Sequence, residues 1–247
     1  KSSIIFCNTL FIIYLYNRLH LSKASIIFIS MFIFSTPVIS DSSTRIMQAN
    51  YSMLCFSIVI IEIFFRKIKP EYLMLFISIF CLFRYSSLAA FPSALIYSYI
   101  YHNSKHNNML NKIIKTLQSM VPIVLTIPIL FFPILYGTPS TKGVEELNFF
   151  NLVYFDSSYL LSSVGLDAFG FLLFIPLLTF IFLIFSNKKY IIGYIILLYF
   201  SYHILSVMAD LQFNKFHWYS KYLMEQIGFV FIFSFVYITL RLNNSNH

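Results

Sequence analysis

Residues 71–101 read Glu71-Tyr-Leu-Met-Leu-Phe-Ile-Ser-Ile-Phe-Cys-Leu-Phe-Arg84-Tyr85-Ser86-Ser-Leu-Ala-Ala-Phe-Pro92-Ser-Ala-Leu-Ile-Tyr-Ser-Tyr-Ile-Tyr101. This stretch admits two folds. It is one long apolar helix with Arg84 near its middle, or two short helices that turn at Arg84-Tyr85-Ser86. The choice decides on which side of the molecule every later loop falls.

Composition sets the frame. The chain has 247 residues, 59% of them hydrophobic and 11% charged, with a mean hydropathy of +0.78. A soluble domain is typically about 45–50% apolar and about 25% charged. In lipid a segment has to satisfy its own backbone hydrogen bonds, so apolar runs of this length predict helices. The 30 Phe and 18 Tyr suit helix packing and interfacial belts. The expected fold is therefore all-α: a polytopic transmembrane helical bundle of about nine spans, roughly 20 residues being needed for a full crossing. The candidate spans are 3–16, 25–40, 50–65, 71–83, 86–101, 119–136, 168–186, 190–208 and 224–241, in a single domain covering 1–247.

Loop charge arbitrates the doubtful stretch. With 71–101 split, one side carries Arg18, Lys23, Arg66, Lys67, Lys69, Lys105, Lys112, Lys115, Lys188, Lys189 and Arg241. The other carries Arg45, Arg84, Lys142, Lys215 and Lys221, so the division is eleven against five. Unsplit, it becomes eight against seven and leaves Arg84 inside the membrane. An arginine at mid-bilayer costs about 2.5–3.5 kcal/mol even on the lenient insertion scale. Both considerations favour the split, and the positive-inside rule makes the eleven-charge side cytoplasmic. The net charge of +8 is thus spread over short loops instead of massed on one face, which argues against a nucleic-acid partner.

The extracytoplasmic segments are then 41–49, the turn at 84–86, 137–167 and 209–223. Polar chemistry gathers there. Arg84 and Tyr85 stand at an outer span end, where a guanidinium fork matches phosphate oxygens; snorkelling to water is the plainer reading. Lys215, His217, Trp218, Tyr219, Lys221 and Tyr222 form a basic, aromatic loop that suits a lipid phosphate and a sugar ring, or equally an aromatic belt. Asp41, Arg45, Asp156, Asp167 and Asp210 are outer groups at or near span ends. A carboxylate there can act as general base or hold a divalent cation, though no pair has diagnostic spacing, and the expectation is no cofactor, with a divalent cation as the alternative.

Three features inside the spans read as structural. Glu62 is expected to pair with Arg66, four residues on, near the cytoplasmic end. His203 is expected to be a buried histidine hydrogen-bonded between helices. Cys7, Cys55 and Cys81 lie in apolar runs and read as packing residues, with no disulfide or metal role. There is no phosphate-cradling glycine loop, His-Glu-x-x-His, Gly-x-Ser-x-Gly or CxxC, so ATP-driven work and zinc hydrolysis by common motifs have no support. Lys1 opens the chain without a methionine or a signal peptide, and the natural N-terminus is expected to lie upstream.

The order of several pieces resembles the polyprenol-dependent glycosyltransferases of the GT-C superfamily, which include the dolichyl-phosphate-mannose protein mannosyltransferases and bacterial aminoarabinose transferases. The pieces are Asn8-Thr-Leu-Phe-Ile-Ile-Tyr-Leu-Tyr16-Asn-Arg18, then Leu-Ser-Lys23, then Phe34-Ser-Thr-Pro37. Leu82-Phe-Arg84-Tyr85 with Pro92 follows, and Lys221-Tyr222-Leu closes the series. The chain departs from the family at Phe83, where Thr is common, and at Lys221, which replaces Arg. The resemblance implies a GT-C-like bundle whose catalytic aspartate lies upstream of Lys1, so that this chain is the C-terminal part of a longer enzyme. It implies that Arg84 and Lys221 stabilise a leaving lipid phosphate while Tyr85, Tyr222 and Trp218 line the pocket, with His217, Arg45 and Asp41 nearby. It makes a lipid-linked sugar donor and membrane lipid the partners, and a bacterial inner membrane the expected location.

A membrane glycosyltransferase is accordingly the first expectation, with a polysaccharide polymerase or ligase its close neighbour. A lipid-linked saccharide transporter or flippase fits less well: six glycines and no internal repeat are poor material for broken-helix repeats. A non-catalytic membrane assembly subunit is the third reading.

Overall fold

The computed structural model describes residues 2–19, 22–35, 49–105, 108–136, 174–213 and 219–244. Among these residues the chain is all-α, as expected. The helices are α1 (Ser2–Leu19), α2 (Lys23–Ser35), α3 (Ala49–Phe65), α4 (Pro70–Phe83), α5 (Phe91–Asn103), α6 (Met109–Tyr136), α7 (Phe174–Ile184), α8 (Tyr190–Phe213) and α9 (Tyr219–Asn244). A 3-10 helix, Tyr85–Ala90, links α4 to α5.

The break at Arg84 is present, and its cause is local. Pro70 opens α4, where its missing N–H leaves no bond unmade. Arg84 ends α4 with extended backbone, φ −153° and ψ 114°. Its N–H still reaches the Phe80 carbonyl at 2.9 Å, while its own carbonyl accepts from the Ser87 N–H at 3.0 Å. Pro92 then sits in the first turn of α5. The two helices fold back on each other: Glu71 Oε1 and His102 Nε2, at their far ends, lie 3.8 Å apart. Tyr97 on α5 donates its hydroxyl to the Ile68 carbonyl before α4 at 2.7 Å.

Helix α3 is the centre of the bundle. It is apolar on every face, and such a helix is buried on every face: Met53 through Phe56, Val59 through Ile61 and Ile63 are all at or below 1% exposure. Helix α9 runs beside it in the same direction. Phe56 meets Phe229 edge to face at 5.7 Å, and Phe64 meets Phe233 and Tyr237 at 5.8 and 5.7 Å. Helix α8 runs the other way, with Tyr202 against Phe56 and Tyr190 against the Phe64 carbonyl. Each such aromatic pair contributes about 0.5–1.5 kcal/mol beyond the area it buries.

Where helices approach most closely the side chains are small and hydroxylic. Ser52 Oγ on α3 lies 2.7 Å from Ser86 Oγ in the 3-10 turn, and Ser87 donates to Ser52 at 3.4 Å. Ser98 on α5 and Ser119 on α6 are 2.7 Å apart, and Ser93 donates to the Tyr194 carbonyl of α8 at 3.4 Å. All of these serines are buried. Large apolar side chains meanwhile face outward: Leu75, Ile79 and Leu82 on α4, Val121 and Leu125 on α6, Leu177 on α7.

Several helices match the expected spans in position but are short for a full crossing. Helices α2, α3, α4, α5 and α7 have 13, 17, 14, 13 and 11 residues. Among the described residues, no helix is both long and apolar enough to cross a membrane. Two loops are also shorter than expected. Helix α6 begins at Met109, inside the segment 102–115 that reads as loop. Helices α8 and α9 reach Phe213 and back to Tyr219, so that both ends of the expected 209–223 loop are helical.

Candidate functional site

The strand of reasoning from sequence places a site at the Arg84 end. Arg84 is half-buried at the α4 break, and Tyr85 begins the 3-10 helix. Tyr51, near the start of α3, stacks on Phe83 at 5.3 Å, so the start of α3 and the end of α4 share this end of the bundle. The directions of α8 and α9 along α3 bring the last turn of α8 and the first turn of α9 to the same end. Lys221 and Tyr222 lie in that first turn of α9, and Asp210 in the last turn of α8. Asp41, Arg45, Asp156, Asp167, His217 and Trp218 lie outside the described residues. Among the described residues no three His, Cys, Asp or Glu side chains gather as a metal site.

The opposite end departs from expectation in an informative way. Glu62 does not pair with Arg66. Its carboxylate is bonded by the Arg18 guanidinium of α1 and accepts the Tyr14 hydroxyl at 2.7 Å. The reason is the backbone at Arg66, which has a φ of +52°. That left-handed residue ends α3 just after Phe65, much as a glycine C-cap does, and turns its side chain off the face that carries Glu62. The carboxylate, 2% exposed, therefore takes its counter-charge from another helix. Burial works against the Arg18 charge, but the bond to Glu62 outweighs it and raises the guanidinium pKa.

Released from Glu62, Arg66 lies over the Tyr190 ring at 4.1 Å. Lys188, in the turn before α8, sits 3.8 Å over the Phe64 ring and donates to the Phe64 carbonyl at 3.4 Å. Tyr190 donates to that same carbonyl at 3.4 Å. The carbonyl belongs to the last turn of α3, where helical acceptors have no partner of their own and the helix dipole favours cations. Arg241, near the end of α9, covers Phe182 at 4.9 Å and Tyr237 at 5.8 Å. Lys188 and Arg241 face one cleft of about 300 Å³, whose walls are Phe64, Phe65, Tyr237 and Leu240, with the Ser186 hydroxyl at its edge. Among the described residues no carboxylate lines it. Desolvation, and then the charge of Arg66, hold the Lys188 ammonium below the ordinary lysine range.

No family model, curated protein or solved structure matches this chain. The site is therefore read from its own chemistry.

His203 is buried, as expected, and its Nδ1 is 3.1 Å from the Tyr199 carbonyl one turn earlier on α8. Cys55 and Cys81 are free and buried, in keeping with packing roles; the Cys7 side chain lies outside the described residues. The cationic cleft was not anticipated. Its residues come from three separate loops or helix ends, and the only signal in the sequence was the excess of basic residues on one side.

Proposed function

We propose that this chain is the membrane-embedded part of a glycosyltransferase that moves a sugar from a polyprenyl-phosphate donor to an extracytoplasmic acceptor. The bilayer placement is supported by the exterior: leucine, isoleucine and valine face outward on α4, α6 and α7, while inside an apolar core the hydroxyls of Ser52, Ser86, Ser98 and Ser119 bond between helices. Water would penalise such an apolar exterior, whereas in lipid small residues and hydroxyls are what hold helices together. The basic side chains Arg18, Arg66, Lys188 and Arg241 collect at the end that loop charge assigns to the cytoplasm.

The observation that carries the transferase reading is the position of Arg84. The break sets the half-buried Arg84 at the same end as the first turn of α9, which carries Lys221 and Tyr222. A fork of donors there is suited to the charge that develops on a departing lipid phosphate. The acceptor hydroxyl would attack the anomeric carbon, its proton going to a carboxylate base, and the polyprenyl phosphate would leave. The test is release of polyprenyl phosphate by the longest natural form in detergent, given a panel of polyprenyl-phosphate sugars and acceptor extract. Arg84→Ala should lower release about 10²–10³-fold. Unchanged release in that variant would remove Arg84 from the reaction.

A second reading, a transporter of lipid-linked saccharide, is favoured by one observation: the buried Glu62–Arg18 pair, since intramembrane charge marks translocation paths. Flipping of a fluorescent lipid-linked sugar by reconstituted protein, lost in Glu62→Gln and kept in Arg84→Ala, would select it.

A further inference from the structure

The cleft at the Arg66 end is a second site, remote from Arg84. We infer that it binds the phosphate head of an anionic membrane lipid, with Lys188 and Arg241 on the head and the aromatic wall against the acyl chains. The inference rests on the bilayer placement above and not on the transferase chemistry.

Charge complementarity identifies the occupant. Lys188 and Arg241 face the cleft, Arg66 stands close enough for its charge to act on Lys188, and none of the three has a carboxylate within ion-pair distance among the described residues. The one nearby ion pair, Arg18–Glu62, is already complete. Lys188 is partly desolvated and the neighbouring Arg66 charge adds to its cost, which an anion in the cleft relieves. The protein's own substitutes are weak: aromatic faces under all three and one backbone carbonyl under Lys188. A net anionic head supplies the missing charge, and its oxygens match both an ammonium and a guanidinium fork.

The walls argue for a lipid over a free ion. Phe64, Phe65, Tyr237 and Leu240 offer inorganic phosphate nothing and would cost it hydration. They suit the first carbons of an acyl chain. The chain neighbours of the lining residues Ser186 and Arg241, Phe185 and Leu242, are exposed apolar side chains. The unusual backbone at Arg66 has a role here as well. A non-glycine residue at positive φ is a feature that surrounding structure has to sustain, and this one swings the guanidinium from Glu62 towards the cluster.

The experiment is native mass spectrometry of the delipidated full chain, titrated with phosphatidylglycerol or phosphatidylcholine. The expected result is about tenfold preference for the anionic lipid, the effect of one to two cations near a headgroup. Lys188→Met/Arg241→Leu should bring the two lipids within about twofold of each other, while Lys112→Met/Lys115→Met and Arg84→Ala keep the preference. Equal binding of both lipids by the wild type, or full preference in the Lys188/Arg241 double variant, would overturn the site. Competition by millimolar inorganic phosphate alone would overturn the lipid assignment. Amide hydrogen exchange on the wild type needs no variant to fold: phosphatidylglycerol should slow exchange at residues 64–69 and 186–191, and absence of that protection counts against the site. Loss of donor turnover in Arg84→Ala with lipid preference intact, or the reverse, keeps this inference separate from the transferase reading.

Discussion

Glu62 on α3 is held by Arg18 on α1, 44 residues earlier in the chain, and not by Arg66 one helical turn away. The pair is unequal. The Glu62 side chain is 3% exposed and that of Arg18 is 27% exposed, so one partner can reach water and the other cannot.

The two ends of this bond should therefore differ in cost when cut. Arg18→Met strands a buried carboxylate and should destabilise by about 3 kcal/mol. Glu62→Gln keeps an acceptor for Tyr14 and leaves Arg18 near solvent, and should cost about 1 kcal/mol. Unfolding in mixed detergent micelles measures both. A larger loss for Glu62→Gln than for Arg18→Met would mean that the arginine is the more confined partner.

Arg66 should reverse the usual ranking of alanine and glycine. Both substitutions lose the stacking on Tyr190, worth about 0.5–1 kcal/mol. Only glycine also relieves the left-handed backbone, where a Cβ costs about 1 kcal/mol. Arg66→Gly should thus be more stable than Arg66→Ala by about that amount. Equal stabilities would show that the strain is absent in solution.

The Ser52–Ser86 contact should behave as a coupled pair. Ser86→Ala leaves Ser52 with the longer bond from Ser87, and Ser52→Ala takes one partner from Ser86, each at about 1 kcal/mol. The double variant removes both groups and should cost less than the two singles together by about 0.6 kcal/mol. Strict additivity in the cycle would mean that each hydroxyl finds another acceptor.

Lys188 predicts a pH dependence whose direction can be worked out. The folded chain binds this proton less tightly than the unfolded chain, because of desolvation and Arg66. Between the lowered value and the ordinary lysine value of 10.5, the unfolded form carries more protons, so stability rises with pH. Below that window the penalty is fully present, and above it the penalty is gone. Subtracting the profile of Lys188→Met from that of the wild type should isolate a rise towards pH 10.5, and phosphatidylglycerol in the cleft should flatten it. A difference profile that falls with pH over the window would contradict the environment described.

The helix break at Arg84 was legible because several local signals agree there: a charged residue between apolar runs, Pro92 just beyond, and loop charges that fall mainly on one side, eleven against five, only with a turn. Helix positions were legible for the same reason, since apolar runs bounded by Asn, Lys and Pro are local facts. The partner of Glu62 was not. The i,i+4 spacing to Arg66 is a sound local signal, but it assumes that the helix continues, and a single positive φ ends it. The cleft was beyond reach because Arg66, Lys188 and Arg241 belong to segments that only tertiary packing brings together. The start of α6 was missed because Lys112 and Lys115 read as loop charge, although they lie on an amphipathic first stretch of helix with Thr116 and Ser119 turned inward. Of the Arg84-end site, Asp41, Arg45, His217 and Trp218 fall outside the described residues, so the sequence expectation for them stands as it was.

The 3-10 link Tyr85–Ala90 acts as a phase setting. Its six residues, at about three per turn, wind through about two whole turns and rise about 12 Å. The same residues wound as α-helix would turn about 600° and rise about 9 Å. A switch between the two windings would rotate Arg84 by about 120° relative to α5 and draw it about 3 Å along the axis. The azimuth at which the guanidinium leaves the bundle is thus encoded in the pitch of this one link, and Ser86 and Ser87, tied to Ser52, are the pins that hold that pitch.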